Sequence, residues 1–269
     1  MKKVLSLPPL SHIVTLFREE TWDCLREEFD VYENETPGQM SAEQIQELIG
    51  DREAVITGWN APPFSREILD AAPDLKIIAH TAGTAKSLLS PELVSEVLIP
   101  RGIVLFSGND GLAVNVAEAT VGMMISASRR WSEHVEAFGR LGRRTHEIPR
   151  NGQFLTGATV GIVAASRVAR RVLRLLQPFD CNVLLYDPFV SPEEARSLNV
   201  ELVKLNELFE RSEIVSLHAP PLPATEHMIG ATQLKKLQDG AVLINTAHGS
   251  IMDHDALCLL YTSPSPRDS

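Results

Sequence analysis

The sequence predicts an α/β protein built from two units, each a mostly parallel sheet with helices on both faces. Three observations predict it. Short β-rich runs alternate with helical patterns along nearly the whole chain. The helical patterns carry start signals in the expected places. The alternation breaks once, at a loop of about residues 141–157 rich in Arg, Gly and Pro, and then restarts.

Taken in order, the first strand is Lys3–Leu7. The start, Met1-Lys-Lys before an apolar run, imitates an export signal, but Pro8, Pro9, Ser11 and His12 interrupt it and no cleavage site follows. Ser41-Ala-Glu-Gln44 has the spacing of a capping box, and Ser65 opens a short helix after Pro62 and Pro63. Strands are expected at Ala54–Thr57, Lys76–His80 and Ile103–Phe106. One long helix is expected from Val114 to about Phe138, where Ala, Val and Met recur at helical spacing. After the loop come strands at Thr159–Val163, Asn182–Tyr186, Glu213–Leu217 and Ala241–Ile244, with a helix at Arg167–Leu176.

Composition bounds the function. A hydrophobic content of 44% is that of a globular protein with a sizeable core. The net charge of −10 argues against nucleic-acid binding. Before residue 258 the cysteines are Cys24 and Cys181, too few for a disulfide framework, so a reducing cytoplasm is the expected home. No segment reads as membrane-spanning, and no membrane partner is expected.

The turn after Thr159–Val163 carries the first candidate chemistry. A strand, a turn and a helix start, followed about twenty residues on by Asp187 at a strand end, form the layout of a dinucleotide fingerprint. Its three glycine places are held by Ala164, Ser166 and Ala169. The first glycine serves a tight turn, where a Cβ costs about 1 kcal/mol if φ is positive. Pyrophosphate is expected on the helix start at Arg167 and Val168, with Arg167 adding positive charge. Asp187 is expected to accept from the adenosine ribose and to repel a 2′-phosphate, favouring NAD over NADP. As a purely structural residue, Asp187 would be a turn former before Pro188.

Leu243-Ile-Asn-Thr-Ala-His-Gly-Ser-Ile-Met-Asp253 resembles the Asn-x-x-Arg-Gly signature of the D-2-hydroxyacid dehydrogenases, with His248 in the place of the Arg. Val215-Ser-Leu-His-Ala-Pro-Pro-Leu-Pro-Ala-Thr225, Ala79-His-Thr-Ala-Gly-Thr84 and Asn115-Val-Ala-Glu118 resemble further family segments in order and spacing. The resemblance covers residues 3–257. It implies a flavodoxin-like substrate-binding domain at residues 1–104 and an incomplete Rossmann NAD-binding domain at residues 105–257. It also implies hydride transfer between NAD(H) and a small 2-hydroxy or 2-oxo acid, and a homodimer through the nucleotide domain. Ala82 and Gly83 match the turn that holds the substrate carboxylate. His218, Ala219, Pro220, Thr246 and Ala247 match positions around the cofactor. His248 takes the catalytic place of the family's Arg, but imidazole is shorter and lacks the bidentate fork. The spacing of His248, Asp253 and His254 fits no common metal pattern, and no metal is expected.

The tail reads as foreign. Cys258–Asp268 has no apolar periodicity and matches one reading frame of a common transposase sequencing adapter. The expectation is that residues 258–269 form no regular packed element, that the gene continues past Leu257, and that the family's general base His and its Glu lie in that missing part. On this reading the chain itself is inactive. The rival reading is a non-catalytic NAD- or acid-binding protein.

Overall fold

The computed structural model describes residues 1–81, 83–143 and 154–262, leaving aside the side chains of 261 and 262. The chain divides into two compact units, Met1–Leu112 and Ala113–Ser269.

In the first unit, β1 (Lys2–Pro9) is followed by α1 (Leu10–Leu16), α2 (Glu19–Glu28), β2 (Phe29–Asn34), α3 (Ala42–Leu48), β3 (Ala54–Thr57), α4 (Arg66–Asp70) and β4 (Ile77–His80). Then come α5 (Pro91–Leu93), a wider turn at Val94–Leu98, α6 (Ile99–Arg101) and β5 (Val104–Ser107). The five strands are parallel in the order β2-β1-β3-β4-β5, a flavodoxin-like order. Both faces are covered. Leu5, Leu7, Val55 and Ile78 face one core with Ile45 and Ile68, while Val4 and Ile56 face Ile13 and Trp22 on the other. The capping box forms: Ser41 N–H donates to Gln44 Oε1 at 2.9 Å and Gln44 N–H to Ser41 Oγ at 3.3 Å. Ser65 caps α4.

The helix α7 (Asn109–Ser128) starts in the last residues of the first unit and belongs to the second from Ala113 on. It is followed by α8 (Trp131–Leu141), β6 (Thr159–Val163), α9 (Arg167–Leu176), β7 (Asn182–Tyr186), α10 (Pro192–Leu198), β8 (Glu201–Leu202), α11 (Leu205–Arg211), β9 (Ile214–Leu217), α12 (Ala231–Leu234), β10 (Val242–Asn245) and α13 (His254–Thr262). The parallel order is β10-β9-β6-β7-β8. The chain runs outward from β6 to β8, then returns to β9 on the other side. In such sheets ligands bind beyond the carboxyl ends of the strands at that switch, here β6 and β9. Val160 and Ile162 pack on α9 through Ala169, Val172 and Leu176. On the opposite face α11 lies directly on β6. A Cβ on Gly161 would sit 2.4 Å from both Leu208 Cδ2 and Ser212 Oγ.

Four expectations need correction. The long helix is two, because Arg130 adopts φ +54° and ends the run, its guanidinium reaching to Glu133. Two adjacent arginines carry no break signal that periodicity can read. By length and composition α7 could cross a membrane, contrary to the expectation of no such segment. Its Ala117, Val121 and Met124 pack in the unit's core, and a core helix needs the same apolar residues. The edge strands β2 and β8 were not expected. β2 carries the charged residues Asp30 and Glu33, as solvent-facing edges do, and β8 has two residues. Finally, α13 continues through Cys258 to Thr262. Asp253 caps it, Ala256 N–H donating to Asp253 Oδ1 at 3.0 Å, and no helix breaker intervenes before Pro264. Leu259 and Leu260 are exposed, so this extension buries little apolar surface. Residues 263–269 lie outside the described residues.

Candidate functional site

The fingerprint turn has the geometry that glycine would give it, without the glycine. Ala164 sits at φ +72°. Its N–H donates to Tyr186 O at 2.8 Å, and the next N–H, of Ala165, donates to Asp187 Oδ2 at 2.8 Å. The other carboxylate oxygen, Oδ1, accepts from Phe189 N–H at 2.8 Å. Asp187 is therefore a turn former and a link between the ends of β6 and β7. A carboxylate has about four lone-pair sites, so the ribose role remains open to it.

Ser166 is the N-cap of α9, its Oγ accepting from Ala169 N–H at 3.3 Å. The hydroxyl hydrogen stays available as a donor. Arg167 is exposed on the first turn, and Val168 is turned into the core, so its contribution there is its backbone N–H. The residues fit a dinucleotide: a left-handed turn, a helix start with donors in its first turn, and an acid at the end of the next strand.

The remaining segments of this unit end at the same sheet edge. His218 is buried, its Nε2 paired with Ser216 Oγ at 2.9 Å. Burial pushes its pKa down to about 4. The ring is thus spent on the core, and what His218 offers a ligand is its backbone. Ala219 is buried, while Pro220 is exposed in a loop that Thr225 ties together through hydrogen bonds to Pro220 O and Leu222 N–H. At the end of β10, Asn245 Oδ1 accepts from Ala247 N–H at 3.0 Å. Thr120 of α7 donates its hydroxyl to Val116 O, so Thr246 Oγ1, 3.0 Å away, is the donor between the two threonines. Thr120 carried no motif signal because its partner is remote in sequence, and Ser216, though inside the Val215–Thr225 segment, gave no sign of its role because it lies on the buried side of a strand.

His248 caps a short 3-10 turn, Gly249–Ile251. Its Nδ1 accepts from Ser250 N–H at 3.2 Å and pairs with Ser250 Oγ at 2.8 Å. That leaves Nε2 as the ring's outward donor, one where a guanidinium presents five. A depression of about 940 Å³ is lined by Thr159, Asn182 and Arg196 at the opposite, amino ends of the strands, away from the candidate residues of this unit.

In the first unit, the turn after β4 is knitted to its neighbours. Thr81 N–H and Oγ1 both donate to Thr57 O, and Thr57 Oγ1 pairs with buried His80 Nδ1 at 2.8 Å. Gly108 packs so closely that a Cβ there would lie 2.8 Å from Thr81 O. Gly83 has φ +85°, with His80 and Trp59 beside it. Ala82 lies outside the described residues.

Residues 121–263 match the D-isomer specific 2-hydroxyacid dehydrogenase NAD binding domain. The chain belongs to the D-isomer specific 2-hydroxyacid dehydrogenases. NAD is the cofactor of the matched domain. Among similar proteins, D-3-phosphoglycerate dehydrogenase of Methanocaldococcus jannaschii is 30% identical over 259 residues, covering 96% of this chain and 46% of the relative. Glyoxylate reductase of Thermofilum pendens is 31% identical over 256 residues, covering 93% of this chain and 73% of the relative. The chain thus spans a little under half the length of the first of these. The fold resembles a D-isomer specific 2-hydroxyacid dehydrogenase from Lactobacillus delbrueckii ssp. bulgaricus in its NAD complexed form. The TM-score is 0.77 at 19% identity, covering 97% of this chain and 76% of that one.

Proposed function

We infer that this chain holds NAD(H) at the turn Ala164–Val168 and that its protein acts on a small 2-hydroxy or 2-oxo acid. The observation that carries the reading is the left-handed Ala164 beside Asp187: the fingerprint geometry persists where its glycine does not. Bound there, NAD supplies the hydride acceptor or donor. Asp187 would orient the adenosine ribose and exclude a 2′-phosphate. Ser166 and Arg167 would meet the pyrophosphate, and Thr246 and Ala247 with the backbone at His218–Pro220 would line the remaining edge. Ala82 and Gly83 would receive the acid's carboxylate.

His248 stands where the family's cation grips the substrate, and it offers a single N–H. The reaction also needs a group that takes the hydroxyl proton. The residues after Leu257 contain neither His nor Glu. Where no other group takes that proton, the 269-residue chain would bind NAD(H) without turnover. The alternative of a non-catalytic binder throughout is favoured by His248 alone.

Self-association is part of the reading. On α8, Trp131, Val135, Phe138 and Leu141 form one exposed apolar stripe at helical spacing, and Val135 is 72% exposed. A second copy of the chain would cover it.

The test joins residues 1–257 to the C-terminal part of a related dehydrogenase that carries its His and Glu. Turnover of glyoxylate should appear in the chimera and be absent from the 269-residue chain. In the chimera, His248→Arg should raise kcat/KM about tenfold to a hundredfold, since charge-assisted bonds contribute roughly 1.5–3 kcal/mol. A chimera that binds NADH but gains nothing from the Arg would remove His248 from the substrate-gripping place.

A further inference from the structure

We propose that Arg170, together with Asp187, is a positioning residue that holds the fingerprint turn in its cofactor-ready shape, standing in for the missing glycine. The proposal rests on the reading of this turn as the NAD site. The described non-glycine residues at positive φ are Asn60, Arg130, Ala164, Asp180, Asn199 and His227. Asn, Asp and His adopt this region several-fold more readily than other residues, their short polar side chains bonding locally. Ala164 has no such group, so its conformation must be imposed from outside.

The neighbouring residue shows how. Ala165 is held at both of its backbone polar groups by charged side chains. Its N–H donates to Asp187 Oδ2 at 2.8 Å, and its carbonyl accepts from Arg170 Nε at 3.0 Å. Each of these side chains is itself fixed. Asp187 accepts from Phe189 N–H through its second oxygen, and Arg170 donates through its Nη2 to Glu194 of α10 at 2.7 Å. The backbone after Ala164 is thereby anchored to the end of β7 and to the first turns of α9. Ala164 N–H and His218 N–H complete the frame, bonded to Tyr186 O and Val163 O. With both sides of Ala165 fixed, relaxing Ala164 to negative φ would break charge-assisted bonds.

A glycine at 164 needs no such support, so the clamp and the substitution must be coupled. NADH affinity and nucleotide-free thermal unfolding of the full 269-residue chain are measured for Arg170→Met, Ala164→Gly and the double variant. Methionine keeps much of the apolar stem and removes the donors. Arg170→Met should weaken NADH binding about tenfold and lower Tm by about 2–4 °C, through loss of its hydrogen bond to Ala165 O and its half-exposed pairing with Glu194. In the Ala164→Gly background the same change should cost less than about threefold in affinity, and the Tm effects should not add. Should Arg170→Met fail to fold, Arg170→Lys, which keeps one donor, should give a smaller loss that Ala164→Gly again relieves. Unchanged NADH affinity in Arg170→Met overturns the proposal. So does an undiminished loss in the glycine background, which would mean that Arg170 meets the cofactor directly. If the unsubstituted chain binds no NADH, the cofactor reading fails. The unfolding cycle then decides the clamp alone, additivity overturning it.

Discussion

At the scale of single residues, two side chains carry the clearest energetic consequences. Ala164 at φ +72° bears a strain of about 1–2 kcal/mol that glycine lacks. Glycine gives back about 0.5–1 kcal/mol through unfolded-chain entropy. Ala164→Gly should therefore stabilise the chain modestly, by about 0.5–1 kcal/mol, read as a rise in urea midpoint. A fall in midpoint would mean that the turn is not strained. His218 has a folded pKa of about 4 against an ordinary 6.5, because burial disfavours the imidazolium. Its neutral form is the native one, so the unfolded chain binds more protons between these values. Stability should fall as pH drops from about 6.5 through 4, by up to roughly 3 kcal/mol. Denaturation midpoints across that range should flatten in His218→Gln; an equal slope in both proteins would remove His218 as the cause. The sequence made the identities at 164, 166, 187 and 248 legible through their order and spacing. It did not reveal that Asp187 bonds Ala165 or that His218 turns inward, since both depend on which face of a strand end the chain presents.

At the scale of elements, the helix starts at Ser41 and Ser65 were readable because capping is local: side chain and backbone partner lie three residues apart. The break at Arg130 and the edge strand β2 were not, because each depends on what packs beside it. Gly161 is the opposite kind of residue, ordinary in sequence and constrained by α11. Gly161→Ala would force Leu208 and Ser212 off β6, and should destabilise by about 1–3 kcal/mol in chemical denaturation. A neutral effect would show that α11 shifts without cost. The extension of α13 through Thr262 illustrates the limit of reading composition: a capped helix continues over foreign-looking residues as long as none of them breaks it.

At the scale of the whole molecule, the two sheets follow from alternating strands and helices whose apolar faces need covering on both sides. Their strand orders put the Asn245 and Val163 strand ends on one edge of the second sheet. The apolar stripe on α8 leads to an expected dimer in sedimentation at micromolar concentration, with Val135→Asp shifting it to monomer. A monomer in both would assign the stripe no such role.

The turn at Ala164 and Asp187 is the proposed nucleotide site on which the other roles depend. Fluorescence titration of the 269-residue chain with NADH and NADPH tests it directly. Asp187 would meet a 2′-phosphate with like charge, which costs several kcal/mol in comparable juxtapositions. NADH should bind at least about tenfold tighter than NADPH, with the preference lost in Asp187→Ser. Equal or reversed affinities in the unsubstituted chain would contradict it.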